Sequence, residues 1–283
     1  MAALYLYEKT GTSVQALDLS TFQGGRRDQN IPHRPAYPAG SAGYITLAGI
    51  GNPMCRFTWL LSAFLSLQPL ALVAAESQCY GTVSNGRLEG GVKLPSAGPN
   101  FTSYSTLAAA AGRTYVHSKV AEIIVSAYEA LAKDKPSNTY VYGETGWSSG
   151  GRIRPHRTHQ NGLSVDFFVP VRDVSGKSVP LPTSVTNKLG YDIEFNAKAK
   201  YEEYTIDFEA TAEHLYQLQV AAKAKGAGIA LVIFDTEYLP KLFTTVRGPY
   251  LQKELPFMKG KPWVRHDEHY HVDFRIPCKQ NAG

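Results

Sequence analysis

Two short histidine-rich windows, about a hundred residues apart, constrain this 283-residue chain more than any other feature. The first reads His156-Arg-Thr-His159-Gln-Asn-Gly-Leu-Ser-Val-Asp166, and the second reads His266-Asp-Glu-His269-Tyr-His271. Five of the eight histidines fall inside them, far more than background usage explains. His269 and His271 stand two apart in an alternating run, so in a strand both side chains leave one face. Asp166 lies in the apolar run Leu163 to Val171, which reads as a strand, and His159 precedes it across a turn marked by Gly162. If the two strands are neighbours, two imidazoles and a carboxylate converge on one point.

Three protein ligands plus a water make up a catalytic zinc site, whereas structural sites use four ligands, usually with cysteine. A Cys-rich structural site does not suit this chain. Of its three cysteines, Cys55 lies in a signal-like segment, and Cys79 and Cys278 stand near opposite ends of what remains. That segment begins at Met54, with Arg56 ahead of an apolar stretch from Phe57 to Leu72 and the small residues Val73-Ala74-Ala75 behind it. In form it is a secretory signal spanning 54–75, too short for a membrane span of about 20 apolar residues. Residues 1–53 show neither helical nor strand periodicity, and we read Met54 as the initiator and 1–53 as an upstream leader. The mature domain is then 76–283, exported, with no stable membrane insertion after signal cleavage. Its two remaining cysteines form either a disulfide between the ends or two buried free thiols.

One core of ordinary size fits the length. The net charge of +5 suits an anionic polymer as partner, but no cluster of five or more basic residues appears, which argues against nucleic acid. Val120, Ile123, Ile124, Ala127, Tyr128 and Leu131 recur at helical spacing, which predicts a helix from Ser118 to Lys133. A second helix is expected after Asp207, a good N-cap, to about Lys225, with Gly226 as its stop. Residues 80–115 read as loops with a short strand, 139–142 as a short strand, and 172–206 as a polar connection that includes a hairpin. Ile229 to Phe234 reads as a buried central strand and His269 to Ile276 as an alternating one. Strands and helices mix without a βαβ repeat, so the fold class is α+β, with a small, largely antiparallel sheet carrying the ligands and helices flanking it.

The order His-x2-His-x6-Asp followed by His-x2-His-x-His resembles the zinc peptidases grouped with lysostaphin, the D-Ala-D-Ala carboxypeptidases and the hedgehog signalling domain. Within that group the doubled histidines are similar to the penicillin-insensitive murein endopeptidases. The resemblance is clear over about 150–283 and looser over 76–150. It implies that His159, Asp166 and His271 hold Zn2+ and that His269 is the catalytic base. His156 and His266 line the site, where either in protonated form serves a tetrahedral oxyanion. It further implies a secreted, periplasmic enzyme that hydrolyses peptide cross-links of bacterial murein, cutting between D-alanine and diaminopimelate. Carboxypeptidase action, a different stem-peptide bond, or a zinc-stabilised binding module without turnover are the alternatives.

Other residues carry less. Asp273 shares the face of His271 and either orients that ligand or makes an ordinary strand contact. The loop Trp147 to Gly151 is a candidate groove wall, and Arg152 and Arg154 either meet substrate carboxylates or are simply solvated. His117, His214 and Asp235 read as structural.

Overall fold

The computed structural model describes residues 76–281; the expected leader (1–53) and signal segment (54–75), with Cys55 and His33, lie outside the described residues. The periodic run after His117 forms helix α1, Ser118–Asp134, and its apolar stripe of Val120, Ile123, Ile124, Ala127, Tyr128 and Leu131 is buried. Each large side chain in that stripe contributes about 1.5–3 kcal/mol by leaving water. His117 begins the helix by accepting from the Lys119 amide through Nδ1, which is a structural role. Asp207 likewise caps helix α2, Phe208–Ala224, accepting from the Ala210 amide at 3.0 Å, and Gly226 follows the end with φ +65°.

A five-stranded sheet holds the molecule together. Its members are β1 (Phe101–Ser103), β2 (Tyr140–Tyr142), β3 (Ser164–Phe168), β4 (Gly228–Ile233) and β5 (His269–Arg275), in the spatial order β4-β5-β3-β2-β1. Only the β1–β2 pair is parallel; the other three are antiparallel. This is the α+β class expected, with β5 and β3 at the centre. The strand period divides β5 between two environments. Tyr270 turns toward α2, where its hydroxyl meets His214 Nδ1, while His269 and His271 face the opposite side with Asp166. Phe167 follows Tyr270, with its ring 4.8 Å from that of His214. The helices α1 and α2 cover this apolar face and pack on each other.

The structure revises several expectations. Residues 228–233 form an edge strand rather than a central one. They remain largely buried because residues 256–258, later in the chain, return beside them: the Val232 amide donates to the Pro256 carbonyl and the Met258 amide to the Val232 carbonyl. The run Leu163 to Val171 does not form one strand: Val169 and Pro170 interrupt it, and Val171–Arg172 joins a separate four-stranded sheet with 178–179, 200–201 and 204–206. Proline lacks the N–H that a ladder needs, so the chain leaves the main sheet there. The stretch 80–115 is more regular than expected, with a hairpin, Gln78–Thr82 against Asn85–Glu89, and a short helix, Thr106–Ala110.

Cys79 of that hairpin is disulfide-bonded to Cys278 beyond β5, with Cα atoms 4.8 Å apart. Reciprocal backbone bonds, Gly81 to Lys279 at 2.8 Å and Lys279 to Cys79 at 3.0 Å, run alongside. The alternative of two free thiols is set aside.

Candidate active site

Strand register does the first part of the assembly. β5 pairs with β3 so that His271 stands opposite Asp166. Asp166 Oδ1 is then 2.8 Å from His271 Nδ1, 3.3 Å from His159 Nε2 and 3.9 Å from His269 Nε2. Its Oδ2 lies 3.8 Å from His156 Nδ1 and accepts the Tyr191 hydroxyl at 2.9 Å. Asp166, His159, His269 and His271 are all buried, so this polar cluster is held away from bulk water.

His159 arrives from the loop before β3, in a left-handed conformation with φ 66°. A non-glycine residue there stores strain of order 1 kcal/mol, which the surroundings must hold. Gly162 completes the turn with φ +77°, and a Cβ on it would lie 2.8 Å from the His117 backbone nitrogen. Only glycine combines that torsion with so close an approach.

Hydrogen bonds on the far side of each ring fix its orientation. His159 Nδ1 donates to the Thr145 carbonyl at 3.1 Å, leaving Nε2 as a lone pair that faces Asp166 with no hydrogen-bond partner. His271 Nε2 donates to Asp273 at 2.8 Å, and Asp273 accepts from Ser164 Oγ at 2.6 Å. Asp273 therefore orients His271 rather than making an ordinary strand contact. His269 Nδ1 meets Glu268 Oε1 at 2.7 Å, and His156 Nε2 meets Glu144 Oε2 at 2.9 Å. His266 Nδ1 donates to the Val264 carbonyl at 2.8 Å, and its ring centre is 4.6 Å from that of His269.

The electrostatics follow from this burial. Burial lowers His159, pushes His266 down to about 3 and takes His269 down to about 4, so all three are neutral imidazoles at pH 7. Burial would raise Asp166, but the adjacent imidazoles and their hydrogen bonds hold its carboxyl well below the usual carboxylate range. For His271 burial is outweighed by the Asp273 and Asp166 carboxylates, which lift it to about 10. The meaning is geometric. Between His271 Nδ1 and Asp166 Oδ1, and between His159 Nε2 and the same oxygen, two acceptors face each other and call for a cation. A proton or a metal ion fills that need. His156, His159 and Asp166 also each present one ligand atom, all within 4.8 Å of one another. The cluster is thus suited to holding a metal ion.

A groove of about 670 Å3 opens onto the cluster, with Tyr104, Arg113, Tyr191 and Trp263 among its walls. The candidate groove wall Trp147 to Gly151 does not line it, nor do Arg152 and Arg154, for which solvation was the other reading; Arg113 and Arg157 do. The Trp147–Gly151 loop instead backs the first hairpin, where Leu88 donates to Ser149. Asp235 is structural, ion-paired with Arg265 at 2.8 Å, and His214 is a core residue.

Four contributors escaped the sequence reading: Glu144, Thr145, Tyr191 and Glu268. Glu144, Thr145 and Tyr191 have no periodic or motif signal. Glu144 is held by Arg113 through two hydrogen bonds, and its amide donates to Tyr191 at 2.9 Å. Glu268 stood inside the second window, where a carboxylate beside His269 was the available clue.

The five histidines of the two windows and Asp166 all line one groove. No relative among curated proteins matches the chain. Residues 79–283, which span both windows and the whole sheet, match the family described as penicillin-insensitive murein endopeptidase. This chain belongs to that family, a group of metallopeptidases that cut the peptide cross-links of murein.

Proposed function

We propose that the chain is a zinc-dependent endopeptidase that cuts between D-alanine and diaminopimelate in cross-linked murein stems. His159, Asp166 and His271 are its metal ligands and His269 its base. The observation that carries this reading is the convergence on Asp166, with imidazole nitrogens 2.8 and 3.3 Å from one carboxylate oxygen and a third at 3.9 Å. Two nitrogens and one oxygen form a donor set that suits zinc, and the unpartnered Nε2 of buried His159 fits a metal bond. When bound, zinc supplies the positive charge that acidifies a water to a pKa near ~7 and polarises the scissile carbonyl.

The chain's own groups do the rest. His269 Nε2 takes a proton from the attacking water and returns it to the leaving amine, work for which a neutral imidazole is fitted. His156 has its pKa raised by Glu144 against the opposing effect of burial, so it brings positive charge to the groove for the developing oxyanion. His266 has Nδ1 committed to Val264 and is neutral, so it serves as wall and acceptor rather than as a charged donor. The two protonated-histidine candidates of the sequence reading thereby reduce to His156.

A second ligand set has a specific observation in its favour, since His156, His159 and Asp166 each present a ligand atom, all within 4.8 Å of one another. His271 is preferred because it stands directly opposite Asp166 in the sheet with Nδ1 2.8 Å from the carboxylate and its side chain 3% exposed, whereas His156 Nδ1 is 3.8 Å away and its side chain is 16% exposed. Because murein lies outside the cytoplasmic membrane, export is required, and the segment 54–75 is proposed as its cleaved signal. No helix among the described residues is long and apolar enough to cross a membrane.

Alanine variants at His156, His159, Asp166 and His271, with zinc measured by elemental analysis, decide the ligand set. Removing one of three anchors should strip the metal and abolish turnover of defined muropeptides. Zinc kept at full stoichiometry by H271A but lost by H156A would transfer the third ligand to His156. Mass analysis of the wild-type products identifies the bond cut.

A further inference from the structure

Glu268 immediately precedes β5 on a fixed backbone, its carbonyl accepting from the Val169 amide at 3.0 Å. Its side chain is 5% exposed, and burial pushes the carboxyl well above its ordinary range. Burying a carboxyl without compensation is costly, so such a group needs a reason to be there. The other buried carboxyls near the groove have strong partners: Glu144 has Arg113, Asp267 has Arg265, and Asp273 has His271. Among the described residues, the one basic group within ion-pair range of Glu268 is His269, with Nδ1 2.7 Å from Oε1.

Packing already decides where the His269 ring sits. Tyr191 stands edge-on at 5.2 Å, His266 lies 4.6 Å away and Phe168 lies beneath at 6.2 Å between ring centres. These contacts do not determine which ring nitrogen carries the proton. Of the two nitrogens, Nδ1 points at Glu268 and Nε2 points into the cluster, 3.9 Å from Asp166 Oδ1. A proton on Nδ1 leaves Nε2 as a lone pair facing the reacting groups; a proton on Nε2 leaves His269 unable to act as a base. We infer that Glu268 is the positioning residue of His269, accepting its Nδ1–H and so holding Nε2 free to receive the proton. The inference rests on His269 being the base and adds a carboxyl–histidine pair, in which a neutral Glu268 accepts through its carbonyl oxygen, to the carboxylate–histidine pair that Asp273 makes with His271.

The test uses the zinc-loaded enzyme and its Glu268→Ala and Glu268→Gln variants. Nitrogen-15 correlation spectra of His269 report the tautomer, and kcat and KM are measured on a defined cross-linked muropeptide, with zinc content alongside. Wild type should show Nδ1–H. Glu268→Gln, whose carbonyl also accepts, should keep that tautomer and most of kcat. Glu268→Ala should shift the proton toward Nε2 and lower kcat about 10–100-fold with KM and zinc content unchanged. If the alanine variant does not fold, Glu268→Met fills the volume without an acceptor and takes its place. Retention of Nδ1–H and of kcat within about twofold in the variants lacking an acceptor overturns the inference. The spectra separate its failure from that of the base assignment: a tautomer shift with unchanged kcat would show that Glu268 sets the ring of a histidine that is not the base.

Discussion

Asp166 carries more of this site than any other side chain. One oxygen faces His271 and His159, the other is tied to Tyr191, and its position opposite His271 follows from β-sheet register alone. A one-residue slip of β5 against β3 would send His269 and His271 to the helix-covered face, away from Asp166. Period-two spacing made His269 and His271 legible as neighbours on one face, and the sheet brings Asp166 opposite His271. The orienting shell was not legible, because Thr145 acts through its carbonyl and Tyr191 comes from a connection without periodicity. At this scale the decisive substitution is His269→Ala. It removes a group 3.9 Å from Asp166 and leaves His159, Asp166 and His271 in place. Zinc should stay near stoichiometric while kcat falls about 10²–10⁴-fold, the usual contribution of general acid–base catalysis. Zinc lost from the variant would make His269 a fourth ligand, and full turnover would strip it of a proton-transfer role.

At the scale of elements, α2 is joined to the sheet through a polar contact buried in an aromatic cluster. His214 is fully buried, stacked on Tyr128 at 5.0 Å and tilted against Tyr140 at 5.2 Å, with Nδ1 hydrogen-bonded to the Tyr270 hydroxyl. The sequence showed α2 through its cap and its stop, and read His214 as ordinary. It did not show that β4 is an edge strand or that Pro170 turns the chain into a second sheet. Those outcomes depend on which segments return beside a strand, and an apolar run reads the same whether it is central or covered at an edge. Burial lowers His214 to about 3, whereas an exposed histidine titrates near ~6.5. Between those values the unfolded chain binds a proton that the folded chain refuses. Stability should therefore fall as pH drops from about 6.5 toward 3, by up to tenfold per pH unit in the folding equilibrium from this residue. His214→Phe forfeits the Tyr270 hydrogen bond and should be less stable at pH 7, yet its stability should decline less steeply across that acid range. Urea unfolding of both proteins at pH 7 and pH 5 gives the comparison, and parallel declines would remove His214 as a source of acid sensitivity.

For the whole described domain, the controlling link is between its two ends. Cys79 and Cys278 are 199 positions apart in sequence, and their bond fastens the first hairpin to the segment that follows β5. Since β5 carries His269 and His271, the bridge anchors the strand on which half the site is built. A cross-link over so long a loop removes much of the freedom of the unfolded chain, and the chain-entropy account gives up to about 5 kcal/mol for a loop of this length. Small proteins that function outside the cytoplasm commonly use such bonds. The native contacts beside it, the paired backbone bonds between Gly81 and Lys279 and between Lys279 and Cys79, are made whether or not the sulfurs are joined. Reduction should therefore leave the folded site intact while lowering its stability. A Cys79→Ser, Cys278→Ser double variant is expected to keep its zinc and its kcat at 25 °C, with a urea midpoint lower by the equivalent of about 2–5 kcal/mol. Wild-type protein treated with reductant should converge on the variant's midpoint, and the variant itself should ignore reductant. A midpoint unchanged by both treatments would mean that the hairpin and the C-terminal segment hold each other through backbone pairing alone, and that the disulfide adds nothing to equilibrium stability.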